Sequence, residues 1–167
     1  PVNIMGASKK LMEELILSYS DILPIKTARF ANVAFSNGSL PLGFLNRLDK
    51  NQPWSCPANI KRFFVSPQES GELCLIASIL AKSGDIVFPK LNKEDNMISF
   101  KKIALNLISE LGFEADICES ENEAKQKSEN MFCFTDKLPI YLFDSDTSGE
   151  KTFEEFYTED EELDLTS

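Results

Sequence analysis

The sequence predicts an α/β fold: apolar residues at helical spacing alternate with short apolar runs, turn residues divide the two, and no internal repeat is visible. A first helix is expected from Ile4 to about Ser20, where Met5, Leu11, Met12, Leu15, Ile16 and Tyr19 recur. Asn3 suits its N-cap, and Asp21 with Pro24 stops it. Pro24 to Phe35 is nearly continuous in apolar residues and predicts one buried strand. Ser36-Asn37-Gly38-Ser39 is a turn, and Leu40 to Leu48 is a short helix that Pro41 can open.

Asn51-Gln52-Pro53-Trp54 begins an irregular stretch, followed by a short strand around Lys61 to Ser66. Ser66, Pro67 and Glu69 have the order of an N-cap, a first-turn proline and a completed capping box. The helix they open should run to about Lys82 with its apolar stripe, Cys74 included, facing the core. Gly84-Asp85 turns into a strand over Ile86 to Phe88. Ser99 to Leu111 predicts an amphipathic helix capped by Gly112, and Phe113 to Cys118 a strand. Glu119 to Asn130 is charged throughout, so it is either an exposed helix or a mobile insert. After a strand at Pro139 to Phe143 the chain turns acidic, and Glu159 to Glu162 with Asp164 are expected to fray into solvent.

Composition excludes several functions. The 167 residues are 43% hydrophobic, enough for one ordinary globular domain. A formal net charge of −10 argues against nucleic acid as a partner, because phosphate binding needs an excess of Lys and Arg. The chain has no histidine, which excludes Ser-His-Asp and Cys-His catalysis within it and removes the commonest metal ligand, so no metal site is expected. Its four cysteines are widely spaced and read as free thiols of a reducing cytoplasm. The apolar run Leu73 to Ala81 is too short to span a bilayer. The chain opens Pro-Val-Asn without an initiator Met, and no G-x-G-x-x-G follows any strand, so the part of a protein that would grip a dinucleotide's pyrophosphate is expected elsewhere.

Three clusters could carry chemistry. Met5 and Lys9 are four residues apart and share a helical face; a lysine this close to a helix N-terminus opposes the macrodipole, although solvated lysine and a packed methionine are the plain alternatives. Asn32 lies near the C-terminal end of the predicted strand and Ser36-Asn37-Gly38-Ser39 follows it, where α/β proteins bind ligands; the plain alternative for the latter is an ordinary Asn-Gly turn. Arg62 stands among apolar neighbours, suited either to bidentate phosphate binding or to a buried ion pair.

The strings Asn3-Ile4-Met5-Gly6-Ala7-Ser8-Lys9-Lys10 and Thr27-Ala28-Arg29-Phe30-Ala31-Asn32-Val33, with Lys61-Arg62-Phe63-Phe64-Val65-Ser66-Pro67, resemble extended short-chain dehydrogenases. The resemblance is to their polysaccharide-biosynthesis branch, which includes UDP-N-acetylglucosamine 4,6-dehydratases. Gly84-Asp85-Ile86-Val87-Phe88-Pro89-Lys90 and Gly149-Glu150-Lys151-Thr152-Phe153-Glu154-Glu155 are similar to later segments of that branch, in the same order. The likeness implies the C-terminal part of a Rossmann-like extended short-chain dehydrogenase with its small substrate-binding subdomain. Residues 1–50 would end the Rossmann-like domain, 51–157 would be mixed substrate-binding and closing elements, and 158–167 an acidic tail.

By that resemblance, Lys9 holds the nicotinamide ribose of NAD or NADP, and Met5 stands where the family usually has its catalytic tyrosine. Phe30, Ala31, Asn32 and Val33 would lie beside the nicotinamide. Asn32, Gly38, Ser39 and Arg62 would bind the sugar phosphates of a UDP-sugar, and Glu154 the nucleotide ribose; Lys90 is a weaker phosphate candidate. A thioether transfers no proton, so Met5 cannot act as acid or base. The resemblance puts those roles on an Asp-Lys pair upstream of Pro1. The implied function is part of a nucleotide-sugar 4,6-dehydratase of the UDP-N-acetylhexosamine type in surface polysaccharide or glycan precursor synthesis. That enzyme would oxidise C4, eliminate water across C5–C6 and return the hydride to C6. This chain would be inactive without its N-terminal Rossmann half. An epimerase or reductase of the same fold, or a non-catalytic sugar-nucleotide-binding domain, are the alternatives. The intact protein is expected to be a homo-oligomer in the cytoplasm, with a membrane tether on the inner face left open.

Overall fold

A computed structural model describes residues 4–129, 136–145 and 156–165. Helix α1 spans Ile4–Leu17, close to the range its apolar spacing predicts; Asn3 lies outside the described residues. None of its residues is buried, and Ile4, Met5, Leu11, Met12, Leu15 and Ile16 are exposed. Among the described residues, Met5 therefore has no place in a core.

The single strand expected from Pro24 to Phe35 is two short strands in different sheets. β1 (Thr27–Ala28) runs parallel to β5 (Ile86–Val87), with Thr27 opposite Ile86. β2 (Asn32–Val33) runs parallel to β4 (Lys61–Val65), with Asn32 opposite Phe64. The change of partner falls on Arg29-Phe30-Ala31: the Arg29 amide still donates to Val87 O (2.8 Å), whereas the Ala34 amide donates to Val65 O (2.9 Å). A guanidinium cannot lie unpaired in a continuous apolar strand, and the break gives Arg29 room to reach carboxylates. β4 also pairs antiparallel with β6 (Met97–Ser99), giving the order β2-β4-β6.

The third sheet, β3-β8-β7, is parallel throughout: β3 is Trp54–Pro57, β8 Lys137–Phe143 and β7 Glu114–Cys118. The stretch expected to be irregular at Trp54 is thus a strand. Trp54 and Cys56 are fully buried and alternate with Ser55 and Pro57, the period of two that the flanking prolines obscured. Helices α2 (Leu40–Leu48) and α5 (Phe100–Glu110) pack on this sheet. Phe44, Trp54, Cys56, Ala104, Ile108, Leu138 and Ile140 form its core. The Phe44 and Trp54 rings stack at 4.5 Å and 12°. Burial pushes the Cys56 thiol up to about 11, so it is a protonated packing residue.

Helix α3 (Pro67–Leu80) starts as its sequence dictates: Ser66 Oγ accepts from the Glu69 amide (3.1 Å), and Glu69 Oε2 accepts from the Ser66 amide (2.6 Å). Its apolar stripe does not face the core. Cys74, Leu75, Ile76, Ile79 and Leu80 are exposed, and Ala77 alone among its described residues is buried. α3 packs beside β1 and β5, and two strands about 4.8 Å apart are too narrow to cover a helix about 10 Å across. After the short α4 (Lys93–Asn96), the chain returns through α5, and Gly112 (φ +83°) follows its C-cap Leu111. Of the two readings of residues 119–130, the helix is the one found. α6 (Glu121–Ser128) docks through buried Ala124 and Ser128, and Lys127 bridges Asp116 (2.8 Å) and Glu123 (2.9 Å).

Ile140 stands at the centre of the third sheet. Ile140→Ala should cost about 2–5 kcal/mol in urea unfolding, the range for an emptied core site; a change near zero would contradict this packing.

Candidate functional site

The register of β2 on β4 brings two sequence-predicted residues together. Residues opposite each other in a sheet project to the same face, and so do residues two apart on a strand. Asn32 is opposite Phe64, and Arg62 is two residues before Phe64, so Asn32 and Arg62 share one face. Strand spacing puts their backbones roughly 8 Å apart. Asn32 is exposed and donates from Nδ2 to Phe63 O at 3.3 Å; Arg62 is half-buried and donates from Nη1 to Lys61 O at 2.8 Å. Phe63 points to the opposite face and is 1% exposed.

Around this pair, Phe30 is exposed, Ala31 buried and Val33 half-buried. Gly38 adopts φ +80° with open space where a Cβ would stand. The Ser39 amide already donates to Ser36 O (2.9 Å), and its Oγ accepts from the Leu42 amide (3.4 Å) as the N-cap of α2. On α1, Met5 and Lys9 are both exposed. Lys10 is taken up by Glu13 (3.5 Å) and Glu14 (3.7 Å), whereas Lys9 has no ion-pair partner among the described residues. Lys90 is engaged by Leu165 O at 3.0 Å. Glu154 lies outside the described residues.

A residue that sequence reasoning passed over organises the neighbourhood. Arg29 forks onto Glu13 through Nε (2.8 Å) and Nη2 (2.6 Å), and onto Glu161 through Nη1 (2.9 Å) and Nη2. Nη1 also donates to Phe156 O at 2.8 Å. The Arg29 guanidinium holds the Glu161 carboxyl down at about 2 and lowers that of Glu13. The acidic tail is thus not wholly solvated: Glu161 is half-buried, while Glu159, Asp160, Glu162 and Asp164 remain exposed. The available signal was an arginine inside an apolar run, which needs a carboxylate partner.

A profile for the family described as "Polysaccharide biosynthesis protein" matches residues 1–167. The chain belongs to the polysaccharide biosynthesis protein family. This is the branch of extended short-chain dehydrogenases that its Lys9 and Arg62 segments resemble. The chain is 28% identical over 136 residues to a probable polysaccharide biosynthesis protein, EpsC, of Bacillus subtilis (strain 168), covering 79% of this chain and 22% of EpsC. It is 32% identical over 96 residues to a UDP-glucose 4-epimerase of Rickettsia bellii (strain OSU 85-389), covering 54% of this chain and 28% of that enzyme. Among solved structures, Pen from Bacillus thuringiensis superposes with a TM-score of 0.67 at 26% identity, over 95% of this chain and 43% of Pen. The chain therefore spans about a fifth of EpsC and under half of Pen.

Away from the Asn32–Arg62 face, this polysaccharide biosynthesis family chain has a groove of about 890 Å³ between α6 and the β3–β8 edge, lined by Arg47, Ser55, Lys125 and Tyr141 among others. It contains none of the sequence-predicted residues. Its charges are largely spent locally, Lys125 on Glu121 and Arg47 on Ser55 Oγ and Pro53 O.

The Arg29 cluster makes stability depend on acid. Glu161 has a folded value of about 2 against an ordinary 4.5, so its contribution is complete above 4.5 and is lost as pH falls toward 2. Urea unfolding across that window should show a progressive loss, which Glu161→Gln flattens while lowering stability at neutral pH. An unchanged profile in the variant would remove the ion pair from the account.

Proposed function

We propose that this chain supplies the sugar-nucleotide grip of an NAD(P)-dependent nucleotide-sugar 4,6-dehydratase, with UDP-N-acetylhexosamines as the substrate class, in surface polysaccharide or glycan precursor synthesis. The observation behind the reading is the shared face of Asn32 and Arg62. Arg62 would take the diphosphate, since its planar fork donates bidentately to phosphate oxygens and stays charged at any working pH. Asn32 would bond the sugar-phosphate. Gly38 would offer its N–H and the close approach of a backbone without a Cβ, at the start of the helix that Ser39 caps. Glu154 is assigned to the nucleotide ribose.

The residues present suit one edge of a dinucleotide. Lys9 is an exposed ammonium with no competing carboxylate among the described residues, as hydrogen bonding to ribose hydroxyls requires. Phe30, Ala31, Asn32 and Val33 would line the nicotinamide side. NAD(P), when bound, supplies reversible hydride transfer. Met5 can exclude water and pack, but it moves no proton, so the acid and base are assigned to groups outside this chain.

The same reading needs a partner for the uncovered surfaces. α1 and α3 expose broad apolar stripes, and among the described residues β1 is paired on one edge only. A Rossmann half running before β1, and a second copy of the protein, are the occupants we assign to these surfaces. Unpaired Cys56, Cys74 and Cys118 fit a cytoplasmic site of action. No helix among the described residues is long and apolar enough to cross a membrane.

The likeness to the Rickettsia bellii UDP-glucose 4-epimerase favours a second reading, an epimerase of the same fold. A tyrosine-dependent epimerase would have lost its acid and base at Met5, which favours the dehydratase.

In the intact protein, Arg62→Ala should weaken UDP-sugar binding by about 1.5–3 kcal/mol, the scale of a lost charge-assisted hydrogen bond. Unchanged affinity in calorimetry would take Arg62 out of the site. These 167 residues by themselves should form no 4-keto-6-deoxy sugar; product detected by mass spectrometry would overturn the division of labour.

A further inference from the structure

Arg29 joins three parts of the chain that are far apart in sequence. Glu13 is on α1, Arg29 occupies the gap between β1 and β2, and Phe156 and Glu161 belong to the C-terminal segment. Two carboxylates and one carbonyl use the guanidinium donors in their fixed fork geometry, which an ammonium cannot reproduce. The Arg29 side chain is 20% exposed, so little water competes for these bonds.

The segment that Arg29 holds also touches the site strand. The Phe156 ring packs on Phe63 at 5.5 Å and stacks on Phe88 at 6.1 Å and 10°, and Tyr157 packs on Phe88 at 5.4 Å. Further along, the Thr158 amide donates to Glu161 Oε2 (2.8 Å), and Lys90 Nζ donates to Leu165 O (3.0 Å). Phe63 is the residue whose carbonyl receives Asn32 Nδ2, and it directly follows Arg62. Asn32 and Arg62 thus occupy one face of a strand pair, while Phe156 presses on the residue between them from the other face.

We infer that Arg29 is a positioning residue, latching residues 156–165 behind β4 so that Asn32 and Arg62 are set at the spacing a sugar nucleotide requires. The inference rests on the sugar-nucleotide reading of that face. Arg29 touches no ligand in it; it acts through Phe156 and Phe63 on the strand and through Glu13 on the helix that carries Lys9. A strand with its back face unsupported would keep the same side chains but present them in a wider range of positions, so ordering them would oppose binding.

The test uses the intact protein with Arg29→Lys, which keeps the charge but not the fork, and the milder Glu161→Gln. Two measurements are made on each: amide hydrogen exchange of residues 156–165 and of β4, and UDP-sugar affinity by calorimetry alongside the kcat and KM of turnover. Both variants should speed exchange in the two segments and raise Kd and KM about tenfold, the scale of one lost charge-assisted contact, with a smaller change in kcat. Faster exchange with unchanged Kd and KM in a wild type that binds would overturn the positioning role and leave the sugar-nucleotide reading standing. Unchanged exchange in both variants would overturn the latch itself. A wild-type protein that binds no UDP-sugar would remove the reading beneath, and the inference with it. Should Arg29→Lys fail to fold, Glu161→Gln decides, because Arg29 keeps its Glu13 fork in that variant.

Discussion

Between Thr27 and Val33 the backbone pairs first with β5 and then with β4, and the residues in the gap are held in place by side chains instead of a continuous ladder. Arg29 supplies that hold. Its partly buried charge is balanced by two carboxylates, and its carbonyl contact at Phe156 uses a donor that would otherwise be unmet. The arrangement places Asn32 on β4 instead of extending β1, and so gives Asn32 a common face with Arg62. A single strand continuing beside β5 would have left these two residues in different sheets.

The apolar surface is distributed unevenly. The β3-β8-β7 sheet with α2 and α5 encloses a dense core, including a fully buried Trp54 stacked on Phe44. At the other end, Leu75, Ile76, Ile79 and Leu80 on α3 and the stripe of α1 remain uncovered. Each such side chain is partly covered and forgoes only a fraction of the about 1.5–3 kcal/mol of full burial, yet the sum over both helices is still of the order of a domain's whole stability. A surface of that kind is suited to being an interior seam. Together with coverage of 43% of Pen, it supports the proposed N-terminal Rossmann half as the partner.

Local rules were legible in the sequence wherever they were self-contained. Ser66, Pro67 and Glu69 fixed the start of α3, Gly112 followed the end of α5, and Pro41 opened α2, because helix ends are decided within about four residues. The long-range choices were not legible. Residues 24–35 have the hydrophobicity of one strand, and only the position of β4 and β5 in space divides them. Trp54 was hidden by the prolines beside it, although the alternation of Trp54, Ser55, Cys56 and Pro57 was present. The α3 stripe is apolar but not buried, because periodicity reports which side wants cover and not what provides it. For the site, Asn32 and Arg62 could be named from residue type and resemblance. The pairing of Arg29 with Glu13 and Glu161 could not, since contacts 16 and 132 residues away in sequence leave no local pattern.

The titrating groups bear on the division of labour. Active sites gather groups whose pKa values are displaced toward their chemical task. The displaced groups among the described residues have structural explanations: Arg29, Glu13 and Glu161 answer to one another, Glu69 to its capping box, Glu121 to Lys125, Glu123 to Lys127, Lys127 to Asp116 and Glu123, and Cys56 and Cys118 to burial. None of them lies on the Asn32–Arg62 face. That face offers an amide and a permanently charged guanidinium, groups that bind and orient but do not exchange protons near neutral pH. Met5 continues the pattern on α1, giving a thioether beside an ammonium. Residues of this kind lower the cost of ordering a charged ligand and leave the bond-breaking to a neighbour, which is the part the proposed function gives to this chain.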